Sequence, residues 1–133
     1  MTALSVLVVE DDALIGMLLA EMLEEMGYGV CAIAATEEDA VANAARHKPG
    51  LMIVDEHLRE GNGVSAVNRI LRAGPLPCVF ISGAPTYPGR PGARVLQKPF
   101  LEADLIRAIR SVIGPGDAPE GHPSTPPHML IGH

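Results

Sequence analysis

Apolar runs of four to six residues alternate with amphipathic stretches along most of this chain, and that alternation limits what it can fold into more than any other feature. The run "LSVLVV" (residues 4–9) is rich in β-branched side chains. Behind it, Leu14, Ile15, Leu18, Leu19, Met22, Leu23 and Met26 recur at three- and four-residue spacing, so a strand leads into an amphipathic helix. Gly27 sits where that helix stops, and "GVCAIA" (29–34) reads as a second buried strand. "TEEDAVANAARHKPG" opens with Thr36 as a cap, follows it with acids in the first turn and stops before Pro49: a second helix. "LMIV" (51–54) is the third strand, and Val64, Val67, Ile70 and Leu71 mark a third helical face behind the turn-rich "EGNG". "CVFI" (78–81) and "RVLQ" (94–97) supply two more strands, and Leu101, Leu105, Ala108, Ile109 and Val112 line a last helix.

Strands alternating with helices predict a doubly wound α/β fold, a five-stranded parallel sheet covered on both faces, with ligands bound beyond the carboxyl ends of the strands. One segment departs from the alternation. In "SGAPTYPGRPGA" (82–93), Pro85, Pro88 and Pro91 together with the glycines leave the fourth helix shortened or missing. From residue 115 the chain has too much Pro and Gly for a helix and too little apolar content to bury, so residues 1–114 are expected to form the domain and 115–133 a disordered tail.

With 133 residues, 47% hydrophobic and 20% charged, the chain suffices for one core and is too short for two ordinary domains. A net charge of −6 with ten scattered Lys and Arg residues argues against direct DNA binding. Cys31 and Cys78 lie far apart in apolar contexts with no C-x-x-C spacing, as small thiols do in a reducing compartment. No apolar run is long enough to cross a membrane and the N-terminus lacks a targeting profile, so a cytoplasmic protein is expected.

The order of elements collects acids at one sheet edge: Glu10, Asp11 and Asp12 after the first strand and Asp55 after the third, with Ser82 after the fourth and Lys98 after the fifth. Clustered carboxylates repel one another unless protonated or bound to a cation, and hard oxygen donors favour Mg2+. A carboxylate such as Asp55 can accept a phosphoryl group as an acyl phosphate when a metal, an ammonium and a hydroxyl neutralise the equatorial oxygens. Mg2+ held by Asp11 and Asp55, with Lys98 and Ser82, would meet that need, and Glu10 would act through a metal-bound water. In "QKPF", a cis Lys98–Pro99 bond would turn the lysine into the site.

The motifs "VVEDD", "IVDEHL", "FISG" and "LQKPF", in this order between residues 4 and 113, resemble those of the receiver domain of two-component response regulators. The resemblance implies a flavodoxin-like strand order 2-1-3-4-5 and phosphorylation of Asp55 by the phosphohistidine of a histidine kinase or phosphotransfer protein. It makes Glu10 and Asp11 the acid pair that positions Mg2+, with the backbone carbonyl of His57 as a further ligand. Ser82 takes the place of the switch Thr/Ser and Lys98 that of the family's lysine. "PCVFISGA" is also similar to the FAT GUY subgroup, keeping Pro77, Phe80 and Gly83 and departing at Cys78, Ile81, Ser82 and Ala84. Most receivers have proline where this chain has Arg59, and the aromatic that swings with the switch residue corresponds to Val95.

The competing readings are structural. Asp12, just before "ALIGML", is better placed to cap the helix than to bind metal, and Ser82 competes with a plain turn hydroxyl. His47 and the His57 side chain read as loop histidines, and His122, His128 and His133 as a solvated set with nothing to hold them. The leading expectation is a stand-alone phosphoacceptor that catalyses its own phosphorylation and slow hydrolysis and then binds a downstream protein target. The alternatives are a phosphorylation-independent binding module using the remodelled loop 82–94 and, last, a small-molecule phosphohydrolase, which His57 in place of an acid disfavours.

Overall fold

The structure, a computed structural model, describes residues 4–83, 93–114 and 130–131. β1 (Ser5–Val9), β2 (Gly29–Ala34), β3 (Leu51–Asp55), β4 (Cys78–Ser82) and β5 (Ala93–Gln97) form one sheet in the order β2-β1-β3-β4-β5. Every neighbouring pair runs parallel, so all five carboxyl ends face one edge. That is the doubly wound arrangement expected from the alternating pattern, in the flavodoxin-like order.

β3 is buried at all five positions, as a central parallel strand covered on both faces must be. Its alternate residues divide between two cores. Leu51 and Ile53 join Val6, Val8, Val79 and Ile81 under α1 (Ala13–Glu25) and α4 (Glu102–Val112), whose Leu19, Leu23, Leu105 and Ile109 fill that side. Met52 and Val54 join Leu7, Val9 and Phe80 under α2 (Glu37–His47) and α3 (Gly63–Leu71), packed through Ala40, Ala66 and Val67.

The helix ends follow local chemistry. Asp12 Oδ1 accepts the backbone N–H groups of Leu14 and Ile15, so this acid caps α1 as expected. α1 stops before Gly27, which adopts φ +100°. Thr36 Oγ1 accepts the Asp39 N–H and starts α2, which ends at Lys48 in the left-handed conformation before Pro49.

Among the described residues there are four helices. The expected shortening of a helix between β4 and β5 falls on residues 84–92, outside the described residues. Most of the tail expected to be disordered lies outside them as well. Leu130–Ile131, the apolar pair in that Pro- and Gly-rich segment, instead form β7, antiparallel to the two-residue strand β6 (Phe100–Leu101). Both cysteines are free, Cys78 buried and Cys31 half-buried. Among the described residues, no helix is long and apolar enough to cross a membrane.

Candidate phosphoacceptor site

Asp55 is the last residue of β3 and is 6% exposed, so its carboxylate needs partners. Oδ1 accepts the backbone N–H of His57 at 3.0 Å, and Oδ2 faces Lys98 Nζ at 3.4 Å. Lys98 lies just beyond β5; its backbone N–H donates to the Ser82 carbonyl at 2.8 Å, and the Lys98–Pro99 bond is cis. The lysine therefore reaches the site from a loop tied to the end of β4. Ser82 itself is fully buried, one residue beyond Ile81, which pairs with Asp55 in the sheet.

The acid pair follows β1. Glu10 is 3% exposed; its Oε2 accepts the Asp12 N–H at 3.1 Å, while Oε1 is buried with no hydrogen-bond partner. Burial pushes the Glu10 carboxyl up to about 7, opposed by the Asp12 N–H and Lys98 and assisted by the charge of Asp55. Glu10, Asp11 and Asp55 each present a carboxylate oxygen, all within 4.8 Å of one another. An orphaned buried oxygen beside two further carboxylates is a donor set that suits a hard cation. Asp12, engaged in capping, is not among these three.

His57 lies beside Asp55 with its imidazole exposed, so the side chain is a loop histidine as expected, and it makes an isolated bridge to Asn62. Asp11 Oδ2 accepts the backbone N–H of Arg59 at 2.8 Å, with Arg59 Nε at 3.7 Å. Proline at position 59 could not make that bond, since it has no N–H to donate. Val95 is half-buried against the α2/α3 core.

Sequence reasoning passed over two residues. Glu37 reads as one of three first-turn acids, yet it accepts the Asn62 N–H at 3.0 Å, the Ser65 hydroxyl at 2.7 Å and Arg69 Nη1 at 3.0 Å. These bonds, Ser65's first, hold its carboxyl below the usual range and tie α2 to the loop after β3. Glu56 is buried with one carboxylate oxygen unpartnered, and its N–H extends the ladder to the Ile81 carbonyl. The acid at position 56 was visible in the sequence; its burial was not.

A parallel 2-1-3-4-5 sheet with acids after β1, an aspartate closing β3 and a lysine from the loop after β5 defines a receiver-type architecture. Accordingly, a family model described as the response regulator receiver domain matches residues 6–110, and the chain belongs to that family. The phyllosphere-induced regulator PhyR of Methylorubrum extorquens is 33% identical over 117 residues, covering 84% of this chain and 44% of that protein. The transcriptional regulatory protein PdtaR of Mycobacterium tuberculosis is 37% identical over 114 residues, covering 81% of this chain and 56% of that one. The chain thus spans about half the length of these relatives. Among solved structures, the receiver domain of Erythrobacter litoralis PhyR superposes with a TM-score of 0.76 at 31% identity, covering 84% of this chain and 91% of that one.

Proposed function

We propose that this receiver accepts a phosphoryl group on Asp55 from the phosphohistidine of a histidine kinase or phosphotransfer protein, and conveys that state by binding another protein in the cytoplasm. The observation that carries the reading is Asp55 with Lys98 Nζ at 3.4 Å and the oxygens of Glu10 and Asp11 gathered beside it. In the transfer, the N–P bond of the donor breaks and a bond forms from an Asp55 oxygen to phosphorus; the imidazole leaves and takes up a proton. Lys98 neutralises one phosphoryl oxygen, and the Ser82 hydroxyl turns towards another, drawing the following loop with it. Glu10, Asp11, Asp55 and the carbonyl of His57 would hold Mg2+, which when bound neutralises charge on the phosphoryl oxygens.

The partner class has a precedent in name. A solved complex of Bartonella quintana PhyR with the anti-sigma factor NepR superposes on this chain with a TM-score of 0.58 at 33% identity, covering 67% of this chain and 42% of that one. A protein target for this chain is consistent with that likeness. Incubation with radiolabelled histidine kinases in Mg2+ tests the reading. Label is expected on the wild-type chain and lost in Asp55→Asn. Equal labelling of both, or of neither by any donor, contradicts it and favours the phosphorylation-independent binding module.

A further inference from the structure

Two surface features lie on opposite faces of the sheet. On one face α1, which carries no basic residue, leaves Leu14 65% and Met17 57% exposed, with Leu18 beside them. Glu21, Glu24 and Glu25 continue its exposed surface, and none forms an ion pair among the described residues. The apolar patch extends to Ile33 of the edge strand β2, whose Cγ2 would lie 3.0 Å from a β-carbon at Gly16. On the other face, α2 and α3 enclose a groove of about 530 Å³ lined by Val41, Ala44, Ala45, Ile70 and Ala73, with Lys48 and Arg69 at its edge.

That groove has a charge of its own. Of the four cations at or near the carboxyl ends of α2 and α3, Arg46, Lys48, Arg69 and Arg72, two line the groove, Lys48 and Arg69. Arg69 is held by Glu37 and Glu38, whereas Lys48 is exposed with no carboxylate partner among the described residues. A small-residue apolar floor with a cationic edge fits an amphipathic helix that is apolar at one end and acidic at the other. α1 has that pattern.

We propose that α1 of one copy docks in the α2–α3 groove of a second copy. The two features cannot meet within one molecule, because α1 packs on the core under Leu19 and Leu23 and the groove lies beyond the sheet, over Ala44. Each copy carries one helix face and one groove, so the contact is head-to-tail and leaves a free end at each terminus of a growing chain. The small groove and partly screened charges make it a weak association, stronger in low salt. α1 begins next to the Asp12 cap, so an occupied α1 also crowds approach to Glu10 and Asp11.

Sedimentation velocity of the full chain from about 10 to about 500 µM tests this, in about 50 mM and about 500 mM NaCl. The sedimentation coefficient is expected to rise with concentration, and the dissociation constant to rise at least about threefold at high salt. Met17→Asp and Ala45→Glu change exposed positions, one on each surface, and circular dichroism checks that both fold. Each is expected to stay monomeric alone. Mixed, they retain one intact helix face and one intact groove, so the mixture forms a species that stops at a dimer. Lys48→Glu, at the exposed C-cap of α2, is expected to weaken wild-type association at least about threefold. A wild-type chain that stays monomeric throughout, a mixture that stays monomeric, or Ala45→Glu that still self-associates would overturn the proposal.

Discussion

Glu10 is the residue on which the electrostatics of the site turn. Its carboxyl titrates near 7 in the folded chain, against 4.5 for an ordinary glutamate, because it is buried beside Asp55. Between those values the folded state holds a proton the unfolded state has released, so stability is full below the lower value and falls as pH rises through the upper. The unfolding midpoint without divalent cation is therefore expected to drop from about pH 5 to about pH 8, and Glu10→Gln to flatten that slope. Thermal melts across the range read both outcomes. Arg59 offers a second test at this scale. Arg59→Ala keeps the N–H that Asp11 accepts and removes a nearby cation, so Mg2+ affinity is expected to rise about twofold; Arg59→Pro removes the N–H as well, freeing Asp11, and is expected to loosen the loop. Titration calorimetry compares the two. Equal affinity in all three chains would show that Arg59 does not bear on the acid pair.

At the scale of elements, the turn between β3 and α3 fixes where Asp55 ends up. A β-carbon at Gly63 would lie 2.1 Å from the Asp55 carbonyl oxygen and 2.9 Å from Val54 Cγ1, so the helix can start against the strand end only because that residue has no side chain. Gly63→Ala is expected to cost about 3 kcal/mol or more and to shift Asp55, read from denaturant midpoints and from lost phosphorylation. A chain that tolerates it would show the turn to be adaptable. Elements were legible where a local signal fixes them: the β-branched runs, the Asp12 and Thr36 caps, and Gly27. Glu37 was not, because its first-turn position has a sufficient local explanation in the helix dipole while its partners lie 25 to 32 residues away. The Asp11 bond to Arg59 was hidden for another reason: a residue letter advertises a side chain, and this bond uses the backbone.

For the whole molecule, the parallel order brings residues 10, 55 and 98, far apart in the chain, to one edge, and this convergence was readable because strand ends were. The pairing of β7 with β6 was not, since two apolar residues in a Pro- and Gly-rich segment carry no periodic signal. The expected change between β4 and β5 falls outside the described residues, so the proposed switch is tested at Ser82 and Lys98. An amide NMR titration with Mg2+ and then beryllofluoride tests that most directly. The account predicts that Mg2+ shifts Glu10, Asp11, Asp55 and His57, and that beryllofluoride then shifts Ser82 and Lys98 in the wild type and not in Asp55→Asn. Unchanged amides at Ser82 and Lys98 in the wild type would contradict it.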